Sequence, residues 1–211
     1  MRVFARVAAV CLLALTAGAG RSAPGAQAGD LAGLLWPPGA VEHRADVRGA
    51  RLTPEALWDR IVVVSFVSAG CAISCAIRTM ELDRLARDLP EALRRRIVFL
   101  AIDTDPAADD AARLRAFAES LVGPATRLRF LTADAAATRA LAGALRYPAA
   151  ALPEPPPTIL LFDRRGQIAM TYGGDPLDAP RLARDIATLD TFTQGLDRPS
   201  ATGPGPSRPA R

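Results

Sequence analysis

The chain has 211 residues, half of them apolar and only 5% aromatic, with a formal net charge of +4. That length and composition support one domain with an ordinary buried core and exclude a chain disordered throughout. Every basic residue is arginine, interleaved with Asp and Glu in RLARDL, DRRGQ and RLARDI, with LRRRI at 93–97 the one dense spot; solvated helix faces account for this pattern, so neither a nucleic-acid nor an anionic-membrane partner is expected.

At the N-terminus Arg2 and Arg6 precede the apolar run AAVCLLALTAGAG at 8–20, followed by Arg21 and the small triplet Ala26-Gln27-Ala28. This is the pattern of a secretory signal with cleavage after Ala28, which predicts an exported, periplasmic or otherwise extracytoplasmic protein. The run is too short to span a bilayer, which needs about 20 apolar residues, so no stable membrane span is expected after cleavage. Cys11 lies inside the run behind Val10, where a lipoprotein cysteine would close it. It leaves with the signal, and the exported chain then carries Cys71 and Cys75 alone, an even count in an oxidising compartment.

Residues 29–40 read as a flexible leader. From 41 to 57 the sequence VEHRADVRGARLTPEAL predicts a short hairpin around Arg48-Gly49, then Thr53-Pro54 opening a helical stub. IVVVSFV at 61–67 is almost continuously apolar and β-branched, as a strand covered on both faces is, and IVFLAI at 97–102 repeats the pattern. Between them Leu82, Leu85 and Leu89 mark one face of a helix that Pro90 stops. Strand, helix, strand at this length is a right-handed βαβ unit with parallel pairing. A second amphipathic helix is expected at 109–122, a short strand at 127–131 and an alanine-rich helix at 134–145. After LPEPPP come a strand at 158–162, a turn at 163–166 with glycine in the left-handed position, and a returning antiparallel strand at 167–172. The last helix spans about 180–189 behind Asp178 as N-cap, and 193–211 has too little apolar content to pack.

Two cysteines thus stand where the first core strand breaks into a helix. A helix N-terminus offers unpaired N–H groups and the positive end of a dipole, both of which favour thiolate over thiol, and Arg78 one turn beyond Cys75 adds a cation. A depressed pKa makes a cysteine nucleophilic or a good soft-metal ligand. Cys75 shares the stripe of Leu82 and Leu89 and is expected to face inward; Cys71 follows Ser68-Ala69-Gly70 and is expected to be the exposed, attacking thiol. A disulfide is possible if Cys71 lies in the loop before the helix, and the same gap leaves room for a metal ion between the sulfurs. Met80 and Met170 are expected to pack in the core. Asp103, Asp105 and Asp109 follow a strand, and helix capping and loop solvation explain them better than a cation site.

The order βαβ, helix, ββα, with a dithiol at the first helix, resembles the thioredoxin fold: an α/β domain over 41–192 with a central mixed sheet flanked by helices. More narrowly, IVVVSFVSAGCAISC, then VFLAIDTDPAADDAARLRAFAESL, RFLTAD and PTILLFDRRGQIAMTYGG resemble the SCO/SenC family over roughly 47–189. The resemblance implies a role in maturing the copper centre of cytochrome c oxidase, by delivering copper or by reducing the recipient's cysteines. It makes Cys71 and Cys75 both the redox-active and the copper-ligating residues, with an oxidase subunit or another exported dithiol protein as partner. The family's third ligand is a histidine just before the strand that begins here near Thr158, where this chain has PEPPPT; its single histidine is His43, in the N-terminal hairpin. The family's proline after the second cysteine is Ala76. Two thiolates without imidazole suit Cu(I) and not Cu(II). Pro157 resembles the cis-proline of redox-active thioredoxins and is expected to be cis. Three accounts follow: a Cu(I) metallochaperone, a thiol-disulfide oxidoreductase in which Cys71 attacks and Cys75 resolves, and a binding module with an inert structural bridge.

Overall fold

The computed structural model describes residues 30–41, 44–173 and 175–192. The expected signal at 1–28, His43 and residues 193–211 lie outside them.

The chain opens with helix α1 (Leu31–Leu35), then strands β1 (Arg44–Ala45) and β2 (Arg51–Leu52), which pair antiparallel across Gly49 at φ +84°, and the stub α2 (Pro54–Leu57) capped by Thr53. Strand β3 (Ile61–Val67) leads into α3 (Ile73–Asp88), a short α4 (Glu91–Arg94) and β4 (Ile97–Asp103). Helix α5 (Ala111–Val122), β5 (Leu128–Leu131), α6 (Ala135–Ala144), β6 (Thr158–Phe162), β7 (Ile168–Gly173) and α7 (Ala179–Thr191) complete the domain. The five long strands form one sheet in the order β5-β4-β3-β6-β7. β3 pairs parallel with β4 and antiparallel with β6, so the sheet is mixed, as the sequence pattern required.

Every residue of β3 is buried because both faces of the sheet are covered. Ile61, Val63 and Val67 pack with Leu82 of α3, Leu114 of α5 and Ile186 of α7; Val62, Val64 and Phe66 pack on the other side with Leu35, Leu57 and Leu141. Fully burying one such aliphatic side chain is worth about 1.5–3 kcal/mol, so a central strand with no exposed position anchors both layers. The turn from β6 to β7 has Gly166 at φ +79°, the left-handed position expected, with the Asp163 carboxylate accepting from the Arg165 and Gln167 amides.

The N-terminal segment corrects the expectation of a flexible leader. Asp30 caps α1, and Leu31, Leu34 and Leu35 are buried, Leu35 completely. The amide of Leu31 donates to the Gly166 carbonyl, which ties the helix to the β6-β7 turn. Five residues make too short a periodic pattern to be legible alone; the helix exists because the sheet's second face needs a cover.

Candidate functional site

Strand β3 ends at Val67, and residues 68–72 form the loop that delivers both cysteines. Cys71 lies in that loop and α3 begins at Ile73, with Ala72 as an N-cap that makes no side-chain hydrogen bond. The opening amides of the helix therefore have no competing side-chain acceptor, and their partial positive charge faces the dithiol. Cys71 and Cys75 form a disulfide with their Cα atoms 6.0 Å apart. Cys75 is 2% exposed and sits on the inward stripe with Leu82, while Cys71 is half-buried at the loop edge. The structure thus keeps the expected division between an accessible and a sheltered sulfur.

The loop is held from below by the Asp109 carboxylate. Asp109 Oδ2 accepts from the Ala69 amide at 2.6 Å, and Arg113 pairs with its other oxygen at 3.2 Å. A terminal nitrogen of Arg113 stands 4.0 Å from where a Cβ on Gly70 would lie, which puts a guanidinium beside the residue preceding Cys71. Asp103, fully buried at the end of β4, accepts from the amides of Asp105 and Ala133. Burial foremost, helped by the neighbouring Asp109 and opposed by the two amide bonds, pushes its carboxyl up to about 6. The expectation that these aspartates are merely capping or solvated holds for Asp105, whose Oδ1 accepts from the Ala108 amide, but not for Asp103 and Asp109. The cap of α5 is Asp110 instead.

Arg78 is oriented differently from what its spacing suggested. It is 2% exposed and makes a two-oxygen ion pair with Asp175, at 2.9 and 3.1 Å, across to the segment between β7 and α7. Its charge is therefore compensated, and the cation beside the loop before Cys71 is Arg113.

Pro157 is not cis. Among the described residues the cis bonds are Leu152-Pro153 and Asp175-Pro176. The Pro153 carbonyl accepts from the Thr104 hydroxyl at 2.7 Å, and the same hydroxyl lies 3.3 Å from the Val67 carbonyl, so the proline-rich loop meets the end of β3 at Pro153. Pro157 lies in a tight turn in which the Thr158 amide donates to the Pro156 carbonyl, a geometry that suits its fixed φ.

Met80 and Met170 also depart from expectation: they are 41% and 36% exposed, Met80 on the outer side of α3 and Met170 on the edge strand β7. Met80 continues a stripe with Ile73 and Ile77, at i, i+4 and i+7, exposed on the helix that begins at the disulfide. That periodicity is present in the sequence on the face opposite Cys75 and Leu82, where it was hidden by the stronger inward pattern.

Among the described residues no group of three His, Cys, Asp or Glu side chains is arranged to hold a metal ion. The two sulfurs, once reduced, would be the soft donors at this site, and a soft two-thiolate set fits Cu(I).

The family profile for SCO1/SenC matches residues 43–190. The chain belongs to the SCO1/SenC family. A SCO1/SenC family lipoprotein from Bacillus anthracis superposes with a TM-score of 0.57 at 17% identity, covering 74% of this chain and 96% of that one. Yeast Sco1 with copper bound gives 0.56 at 19% identity, covering 74% and 94%. BsSco, described as a Sco-family cytochrome c oxidase assembly protein with a disulfide switch, gives 0.57 at 16% identity, covering 72% and 92%. No curated protein matches the sequence. Like these structures, this SCO1/SenC protein is thioredoxin-like, and no helix among its described residues is long and apolar enough to cross a membrane.

Proposed function

We propose that this SCO1/SenC protein is exported and acts in copper-site maturation of cytochrome c oxidase through Cys71 and Cys75. One observation carries the reading: the two sulfurs are bonded at an uncapped helix start, one accessible and one sheltered. In the reduced protein the Cys71 thiolate attacks a sulfur of the recipient's disulfide, forming a mixed disulfide and releasing one recipient thiolate. Cys75, as thiolate, then attacks Cys71 sulfur and expels the second recipient thiolate. Two electrons and no atoms pass to the recipient, and this chain is left with the Cys71–Cys75 bond. An exported dithiol reductant restores the reduced form.

The partner is an oxidase subunit with paired cysteines, or another exported dithiol protein. The exposed stripe of Ile73, Ile77 and Met80 gives such a partner an apolar landing beside the bond. A second activity, carriage of Cu(I) as cargo between the two thiolates, is favoured by the copper-bound state of yeast Sco1. An inert structural bridge is disfavoured, because so short a loop constrains little of the unfolded chain.

The test uses the exported chain and its Cys71→Ser and Cys75→Ser variants. Reduced Cys75→Ser is expected to trap a mixed disulfide with a dithiol recipient peptide that Cys71→Ser does not form. Anaerobic titration against a chromophoric Cu(I) chelator is expected to give one tight site lost in both variants. Trapping through Cys75 instead, or neither trapping nor copper binding, would overturn the proposal.

A further inference from the structure

Both tryptophans of the chain, Trp36 and Trp58, line one cavity of about 240 Å³ together with Pro54, Arg164 and Gln167. The cavity lies far from the disulfide. β6 runs antiparallel to β3 with Phe162 opposite Val62, so the turn carrying Arg164 sits at the start of β3, whereas Cys71 follows its end. Nothing in the proposed redox chemistry uses it.

Two observations specify what fits. The buried Trp36 Nε1–H has no hydrogen-bond partner among the described residues, so the wall contains a donor in need of an acceptor. The last described residue is also at the cavity's edge: Phe192 places its carbonyl 3.3 Å from an Arg164 guanidinium nitrogen, and the Arg164 side chain is 11% exposed. The 19 residues that follow, TQGLDRPSATGPGPSRPAR, contain prolines 199, 204, 206 and 209.

We propose that this cavity is a docking groove for the chain's own proline-rich C-terminal segment, 193–211. Polyproline II backbone has no internal hydrogen bonds and presents its carbonyls outward, and such segments seat their prolines against aromatic walls. The faces of Trp36 and Trp58 supply the walls against which the prolines pack. Reach is sufficient: at about 3.1 Å per residue, Pro199 extends some 22 Å from Phe192. Weak contacts suffice as well, since a short tether holds its segment at an effective concentration on the order of 1 mM, and an intrinsic Kd near 100 µM then gives about 90% occupancy.

Because both tryptophans lie in the groove, their fluorescence reads its occupancy directly. The exported chain is compared with a variant ending at Phe192 and with one in which prolines 199, 204, 206 and 209 are alanine. Far-UV circular dichroism and the urea midpoint verify that each is folded. Acrylamide quenching of tryptophan is expected to rise at least twofold in both variants, and a synthetic 193–211 peptide is expected to reverse the rise in the truncated chain at hundreds of micromolar. In the Trp36→Phe form the peptide is expected to bind at least fivefold more weakly to the truncated chain. Equal quenching of full and truncated chains overturns the proposal. So does shielding that depends on protein concentration, which would make a second copy the occupant. Equal reversal by a scrambled peptide of the same composition would likewise reduce the effect to nonspecific coverage and refute it.

Discussion

Replacing Asp103 with asparagine isolates the effect of the buried carboxyl beneath the CxxxC loop. Burial and the adjacent Asp109 raise its pKa from 3.8 to about 6. An acid whose folded pKa lies above its unfolded value binds its proton more tightly when folded, so its protonation stabilises the fold. That contribution is complete below pH 3.8 and is lost as pH rises through 6. At about 1.36 kcal/mol per pH unit the raised pKa is worth up to about 3 kcal/mol, of which about 2 kcal/mol develops between pH 7.5 and 4.5. Glu91 and Asp134 act in the opposite direction, since Arg94 and backbone amides respectively hold their carboxyls low and their contributions fade on acidification. Only the difference between wild type and variant therefore isolates Asp103. Urea unfolding at about pH 7.5, 6.0 and 4.5 measures it: wild type is expected to gain about 2 kcal/mol on the variant across that range. The Asp103→Asn variant also loses one of the two acceptors used by Asp105 and Ala133, which lowers its stability by a similar amount at every pH and leaves the slope intact. Parallel pH profiles would refute the account. In Asp109→Asn the like charge is gone, and the transition is expected to move toward 3.8.

Removing Asp175 as Asp175→Ala leaves Arg78 buried and unpaired; a loss of about 3 kcal/mol is expected in urea unfolding, with a lower Cys71 pKa by iodoacetamide alkylation because the cation is released. Leu35→Ala, at a fully buried position, is expected to cost about 2–5 kcal/mol, which would establish that α1 belongs to the domain; a change under about 0.5 kcal/mol would place the helix outside the core. Ala72→Asp supplies the missing cap and is expected to stabilise the oxidised protein by about 1 kcal/mol while raising the Cys71 pKa, so that alkylation slows near neutral pH.

The sheet was legible because its central strands are buried on both faces, and an unbroken apolar run such as IVVVSFV has few other destinations. The helix after it was legible for the same reason, through Leu82, Leu85 and Leu89, and its inward stripe also placed Cys75. What could not be read depends on contacts between distant parts of the chain. Asp175 meets Arg78 across 97 residues, and Asp109 reaches Ala69 across 40. Neither partner is marked by spacing. Pro157 misled for a related reason: prolines crowd the approach to β6, and which one meets the dithiol side is decided by the Thr104 hydroxyl, a residue on another strand's end. Methionine usually packs inward, yet Met80 and Met170 each sit on a face whose opposite side is already filled.

These contacts alter how the thiolate at this site is stabilised. Spacing alone nominated Arg78 as the supporting cation, but its ion pair with Asp175 cancels most of its field within a few ångströms. Two sources remain. One is the start of α3, where Ala72 leaves the opening amides without a side-chain acceptor; the other is Arg113 beside Gly70, itself shared with Asp109 and more than half exposed. A solvent-exposed cation acts through space and is screened by salt, as is the field of the helix dipole, whereas a hydrogen bond made by an opening amide acts at contact and survives high salt. Arg113→Ala is therefore expected to raise the Cys71 pKa at low ionic strength and to have little effect at about 1 M salt, where the Debye length is near 3 Å. The part of the Ala72→Asp effect that comes from its carboxylate engaging the opening amides is expected to persist at both. Equal salt sensitivity of the two variants would mean that the cation, and not the helix start, governs the sulfur.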